Sequence, residues 1–78
     1  MEIQKFIENF SAQFDKTDIS EFTISTRFKE MEEWSSLIAL SVIMMVDEEY
    51  EVGIGAKEIV GSATIGDLFN TVASKLNQ

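Results

Sequence analysis

The sequence predicts an all-α fold, a small bundle of three main helices plus one short helix. Two segments near the ends of the chain repeat apolar residues every three or four positions, as amphipathic helices do. Between them, the run from Leu37 to Val46 is apolar apart from Ser41, so a helix that is apolar on most sides is expected. No stretch of useful length alternates as a β-strand does. With 78 residues and no linker, the chain predicts a single domain over residues 1–78.

The first helix is predicted over residues 2–14. Its apolar stripe consists of Ile3, Phe6, Ile7, Phe10 and Phe14. Residues 15–33 are rich in Asp, Thr and Ser, whose side chains compete for backbone hydrogen bonds, so a long loop is predicted there. Apolar residues are expected to anchor this loop to the core: Ile19, Phe22, Ile24 and Phe28.

The second helix is predicted to begin at Ser35 or Ser36 and to run to about Tyr50. A serine at this point can accept a hydrogen bond from a free backbone N–H of the first turn. Two interpretations of the apolar surface are open: part of it is exposed to meet a partner, or the other helices cover it completely. The far end carries acids that the helix dipole disfavours, namely Asp47, Glu48, Glu49 and Glu51.

The remainder of the chain predicts a reversal and two further helices. Gly53 and Gly55 are expected to reverse the chain by adopting backbone angles that other residues avoid. Residues 56–60 are predicted to form a short helix that a glycine ends. Thr64 and Asp67 have the spacing of a capping box, which marks the start of the last helix. The apolar stripe of that helix consists of Ile65, Leu68, Phe69, Val72, Ala73 and Leu76.

Composition excludes several classes of protein. There is no Cys and no His, so disulfides and thiolate or imidazole metal sites are excluded, although carboxylates could still bind a hard cation. The net charge of −8 argues against nucleic acid and favours partners with basic surfaces. The longest apolar run is too short to span a bilayer, and no signal peptide is recognisable, so we expect a monomeric cytoplasmic protein that does not enter membranes.

Catalysis by the chain itself is not expected. The Ser-His and Cys-His arrangements of nucleophilic catalysis require residues that the chain lacks. The carboxylates all appear on polar surface, where a Glu keeps an ordinary pKa and has little catalytic value. A serine hydroxyl at the first turn of a helix, in contrast, stands where free N–H groups and the dipole favour a phosphate. The sequence therefore predicts a protein that carries, binds or presents a group.

The order of these features resembles the acyl carrier protein family, over essentially the whole chain. The family opens its second helix with an acid, a serine and a leucine, which correspond to Ser35, Ser36 and Leu37. The segment IALSVIMMVDEEYEV is similar to the family's apolar helix and its Glu-Glu-aromatic end. The start of the last helix, Thr64-Ile65-Gly-Asp67-Leu68, also matches.

The resemblance implies that Ser36, rather than Ser35, carries a 4′-phosphopantetheine arm installed from coenzyme A by a phosphopantetheinyl transferase. The arm would hold acyl groups as thioesters and present them to enzymes of fatty acid, lipid or polyketide synthesis. Partner binding is implied for Leu37, Leu40, Ser41, Met44, Asp47 and Glu48. Lining of the acyl chain is implied for Val42, Ile43, Val46, Ile59 and Leu68.

Four positions depart from the family pattern. Ser35 replaces the acid, Glu33 replaces a glycine, Trp34 lies beside the attachment serine, and Ile38 stands where a polar residue is common. Two alternatives therefore stay open. One is a carrier for aminoacyl or peptidyl groups on the same arm. The other is an acidic helical interaction module with no arm, in which both serines only cap the helix.

Overall fold

The fold is an all-helical bundle, as the sequence predicts. The computed structural model describes residues 1–77, and within them no strand occurs. Four α-helices follow each other along the chain: α1 (Ile3–Ser11), α2 (Ser36–Tyr50), α3 (Ala56–Val60) and α4 (Ile65–Leu76). Two short 3₁₀ turns lie in the loop between α1 and α2, at Ile19–Glu21 and Phe28–Glu30. No helix in residues 1–77 is long and apolar enough to cross a membrane.

Helix α1 ends earlier than its apolar stripe predicts. Regular helix stops at Ser11, and the chain then tightens, because the N–H groups of Gln13 and Phe14 donate to the carbonyls three residues before them, at 3.1 and 3.0 Å. Phe14 is nevertheless buried, because this tighter turn still directs its ring toward the core. The predicted helical bounds 2–14 were therefore too wide, while the burial of the stripe is confirmed except at Ile3, which is half-buried.

Aromatic rings from α1 and the following loop form the centre of the core. Phe10 is fully buried, and its ring centroid lies 5.3 Å from that of Phe28, 5.6 Å from Phe14 and 6.2 Å from Phe22. Trp34 extends this cluster toward the start of α2, with its ring centroid 5.0 Å from Phe28. Aromatic pairs at such separations add to the stabilisation that comes from burying their area. The cluster thus joins the long loop to α1.

The loop of residues 15–33 is held against the helices by hydrogen bonds as well as by its buried aromatic rings. Phe22 and Phe28 are buried as predicted, whereas Ile19 and Ile24 are exposed, so the prediction that these two anchor the loop was wrong. The carbonyl of Ile24 instead accepts a hydrogen bond from the N–H of Gly66 at 2.8 Å. The ammonium of Lys29 donates to the carbonyl of Val60, at the end of α3, at 2.7 Å. These two hydrogen bonds hold the loop in place of the apolar contacts that were expected from Ile19 and Ile24.

Helix α4 begins with the predicted capping box. The hydroxyl of Thr64 accepts a hydrogen bond from the N–H of Asp67 at 3.1 Å, and the Asp67 carboxylate accepts one from the N–H of Thr64, also at 3.1 Å. Helix α3 matches its predicted bounds. The Glu58 carboxylate supports its start by accepting a hydrogen bond from the N–H of Gly55 at 2.8 Å. Most of the α4 stripe is buried or half-buried, but Leu76 is exposed.

Gly66 allows the close approach of the loop to α4, which gives a first testable prediction. A Cβ at this position would lie 3.0 Å from the carbonyl oxygen of Ile24. We expect Gly66→Ala to lower the free energy of unfolding by about 1 kcal/mol, because the backbone of Ile24 must give by a few tenths of an ångström and this cost exceeds the helix propensity that alanine gains within α4. Gly53→Ala is the matched control, because nothing lies within 4 Å of its Cβ position. Urea denaturation of both variants measures the difference, and equal stability would contradict the packing argument.

The chain reversal after α2 does not use glycine angles, contrary to the prediction. No glycine in residues 1–77 has a positive φ, including Gly53 and Gly55. Glu51 takes the left-handed conformation instead, with φ 56° and ψ 38°, and its N–H donates to the carbonyl of Asp47 at 3.0 Å. A left-handed residue at this position is a common way to end a helix, but the residue is usually glycine. The structure therefore stores backbone strain at Glu51.

This strain makes Glu51→Gly a stabilising substitution. Glycine adopts the left-handed region freely, so we expect the free energy of unfolding to rise by about 1 kcal/mol. Glu51→Gln separates the backbone effect from the charge, since it removes the carboxylate and keeps the Cβ atom. Its gain should be smaller, because it relieves only unfavourable charge interactions, with the helix dipole and with the neighbouring acids, and leaves the backbone strain in place. Thermal and urea unfolding measure both variants, and an equal gain in the two would show that strain at Glu51 contributes nothing.

Candidate functional site

The two serines at the start of α2 have different surroundings. Ser35 is the N-cap residue, and its hydroxyl accepts a hydrogen bond from the N–H of Ile38 at 3.2 Å. Ser36 is the first residue of the helix and is exposed. Within residues 1–77, no hydrogen bond holds the Ser36 hydroxyl. One serine therefore caps the helix while the other presents a free hydroxyl to solvent.

The first turn of α2 is electrostatically suited to a phosphate on Ser36. The turn contains no acidic residue. The N–H groups of Ser36 and Leu37 belong to the helix start, where no intrahelical acceptor exists for them, and the helix dipole adds partial positive charge. The hydroxyl is accessible for a phosphodiester bond, and the cap does not depend on it. The residues present thus fit the phosphate end of a 4′-phosphopantetheine arm.

Helix α2 exposes an apolar face that continues from Ser36. Leu37, Leu40 and Met44 are 73%, 52% and 53% exposed. Ser41 lies half-buried at the edge of this face, and Asp47 and Glu48 follow it as exposed acids. The opposite side of the helix buries Val42, Met45 and Val46. The other helices therefore do not cover the apolar surface completely, and the exposed side includes or borders all six residues that the resemblance implies for partner binding.

The acidic end of α2 is free of counter-charges in the described part of the chain. None of the ion pairs found in residues 1–77 involves Asp47, Glu48, Glu49 or Glu51. No group of three or more acidic residues in that range is arranged to hold a metal ion. A block of like charges without partners raises the local negative potential, which attracts basic surfaces over a distance of roughly 10 Å at moderate salt.

A small pocket adjoins the exposed face. It has a volume of about 200 Å³ and lies between α2 and the turn that follows α1. Its lining residues are Gln13, Ser41, Met44, Met45, Glu48 and Glu49. Three of them belong to the predicted partner-binding set. Gln13, whose side chain donates to the carbonyl of Asn9 at 3.0 Å, was missed, because nothing in its local sequence distinguishes it from any other surface glutamine.

The residues implied to line an acyl chain lie in a closed core. Four of them are buried: Val42, Val46, Ile59 and Leu68. Ile43 is half-buried and packs against the same core. None of the five lines the pocket beside α2, a larger pocket along the loop, or a shallow one between α3 and α4. In this structure the five residues pack together, and an apolar chain among them would require the helices to separate.

A carboxylate just before the serines holds the long loop. Glu33 accepts hydrogen bonds from the N–H of Asp15 at 2.7 Å, the N–H of Lys16 at 3.0 Å and the hydroxyl of Thr17 at 2.7 Å. We call these four residues the loop clasp. Partial burial opposes ionisation of Glu33, but the hydrogen bonds from Thr17, Asp15 and Lys16 outweigh it and keep the pKa below its usual value. Sequence reasoning assigned Glu33 no role in holding the loop, because its donors are distant in the chain.

Comparisons with known proteins add no assignment. No protein-family model, no curated protein and no solved structure matches this chain. The structure itself defines a small all-helical bundle whose second helix begins with a free, exposed serine hydroxyl.

Proposed function

We propose that the protein is an acyl carrier, which holds acyl groups as thioesters on a 4′-phosphopantetheine arm attached to Ser36. The observation that carries this proposal is the division of roles at the start of α2. Ser35 caps the helix, so the exposed Ser36 hydroxyl is free for modification at a point where a phosphate is favoured. The order of motifs along the whole chain supports the same conclusion.

The arm would be added by a separate transferase, because no group within residues 1–77 is hydrogen-bonded to the Ser36 hydroxyl and placed to take its proton. The Ser36 oxygen would form a bond to the phosphorus of the pantetheine phosphate as the pyrophosphate bond of coenzyme A breaks. The hydroxyl proton would leave to the transferase or to solvent, and adenosine 3′,5′-bisphosphate would depart. The arm supplies a terminal thiol for thioester formation, whereas the chain supplies the attachment point and the surface that enzymes recognise.

The exposed face of α2 supports recognition by basic partners. Its apolar side chains, Leu37, Leu40 and Met44, can be buried against an enzyme, and the acids at the end of the helix attract a positive surface. Methionine adapts its shape to different contacts, which suits a carrier that meets several enzymes in turn. Loading and processing enzymes of fatty acid, lipid or polyketide synthesis are proposed as these partners.

The closed core bears on where the acyl chain would lie. Val42, Val46 and Leu68 are fully buried, so a long chain would enter only through a minor, opened state of the bundle. Helix α3 is the element most easily displaced to open the core, since five residues do not form a stable helix without tertiary contacts. A short acyl group would stay at the surface on its arm.

Arm transfer tests the proposal directly. The protein is incubated with coenzyme A and a broad-specificity phosphopantetheinyl transferase, and its intact mass is measured. We expect the addition of one arm. Loading enzymes for acyl and for aminoacyl groups are then offered to the modified protein, which separates an acyl carrier from an aminoacyl or peptidyl carrier. A chain that keeps its bare mass with several transferases is instead an interaction module without an arm.

A further inference from the structure

The residues just before Ser36 are each anchored in a different way. Glu33 belongs to the loop clasp. Trp34 packs its ring against Phe28, and Ser35 caps the helix. Three consecutive residues are thus fixed by a carboxylate, an aromatic contact and a hydroxyl. The backbone that leads into Ser36 consequently has little freedom of its own.

The clasp also fixes a second segment of the chain. The Glu33 carboxylate accepts hydrogen bonds from two backbone N–H groups and one hydroxyl. All three donors belong to residues 15–17, at the start of the long loop. Lys16 and Thr17 line the same pocket of about 670 Å³ as Glu32 and Glu33. The start of the loop therefore lies beside the segment that precedes the attachment serine, although 16–18 residues separate Glu33 from its donors along the chain.

We propose that Glu33 is a positioning residue for arm transfer, which holds residues 15–17 beside the entrance to α2 so that a transferase meets the loop and Ser36 as one surface. This inference rests on the proposed function. The Glu33 carboxylate does not touch the reacting atoms, because the hydrogen bonds that it accepts all come from the loop. Its effect is on how the unmodified protein is recognised.

Steady-state kinetics of arm transfer from coenzyme A test the inference, with the concentration of the unmodified protein varied. We expect Glu33→Gln to raise KM about tenfold and to leave kcat unchanged, because the variant weakens docking rather than the chemical step. An amide presents its own N–H group to the loop donors, so it cannot replace the carboxylate at all of them. All assays are run well below the unfolding midpoint of each variant.

Two further variants identify the clasp as the cause. Glu2→Gln removes the same charge at a position outside this surface. Glu2 is exposed and its side chain makes no capping hydrogen bond to α1, so the KM of this variant should not change. Thr17→Val removes one donor from the other side of the clasp. Its effect should be smaller than that of Glu33→Gln, and the double variant should fall short of the product of the two, because both disrupt one contact.

Hydrogen exchange of the unmodified protein separates positioning from stability. The amides of Asp15 and Lys16 should exchange faster in Glu33→Gln than in the original protein. Faster exchange with an unchanged KM would overturn the inference, because the clasp would then only stabilise the loop. An equal rise of KM in Glu2→Gln would overturn it as well. If the original protein accepts no arm, the proposed function itself is contradicted. If every variant accepts the arm with the KM of the original protein, only the positioning role of Glu33 is contradicted.

Discussion

Replacement of Ser36 by alanine is expected to abolish arm transfer from coenzyme A, whereas replacement of Ser35 is expected to preserve it. The Ser36 hydroxyl is the proposed nucleophile, so no phosphodiester can form without it. Alanine at the first position of α2 removes no hydrogen bond found in the structure, so the stability of Ser36→Ala should be close to that of the original protein. Intact mass and circular dichroism measure the two properties.

Ser35→Ala should show the opposite behaviour. It removes the acceptor of the Ile38 N–H, and loss of such a cap lowers the free energy of unfolding by about 1 kcal/mol. The variant should still receive the arm at Ser36 at temperatures where it is folded. Two adjacent residues of the same type thus provide matched controls for each other. Transfer of the arm to Ser36→Ala would show that the attachment site is elsewhere, and loss of transfer in Ser35→Ala would implicate Ser35 directly.

Replacement of Phe10 by alanine is expected to unfold most of the protein. Phe10 is fully buried and packs against Phe6, Phe14, Phe22 and Phe28, which come from both α1 and the long loop. Truncation of a buried phenylalanine costs about 3–5 kcal/mol, and a domain of this size has little more than that in total. Circular dichroism and urea denaturation at 25 °C should show a large loss of helix and of cooperative unfolding.

A pair of controls makes this result specific. Phe10→Leu keeps most of the apolar volume and should remain folded with a smaller loss of stability. Phe69→Ala removes a ring that is only half-buried, so its cost should lie below that of Phe10→Ala. A folded Phe10→Ala variant with the stability of Phe69→Ala would show that the aromatic cluster is not the centre of the core.

The features that sequence reasoning predicted correctly are local ones. Helices α2, α3 and α4 follow from apolar spacing and from caps that lie within a few residues, such as the reciprocal pair of Thr64 and Asp67. The free hydroxyl of Ser36 follows from two serines competing for one cap position. Such features depend on short segments, so the sequence contains most of the information that determines them.

The features that could not be predicted from the sequence depend on contacts between distant parts of the chain. Glu33 meets donors that lie 16–18 residues away, and the approach of Gly66 to Ile24 joins the long loop to α4. The left-handed turn at Glu51 was assigned to glycines, because the usual preference for glycine is only a tendency and the ends of α2 and α3 constrain the backbone between them. The packing of the proposed lining residues into a closed core likewise depends on how all the helices meet.

The position of Trp34 gives this protein a natural optical probe. It is the single tryptophan of the chain, it directly precedes the two serines, and its indole contacts the rings of Phe28 and Phe14. Its fluorescence should therefore respond both to melting of the interior and to events at the neighbouring hydroxyl, with no attached dye. Under the proposed function, the emission of this one native side chain would report attachment of the arm, and loading and release of its cargo, in real time.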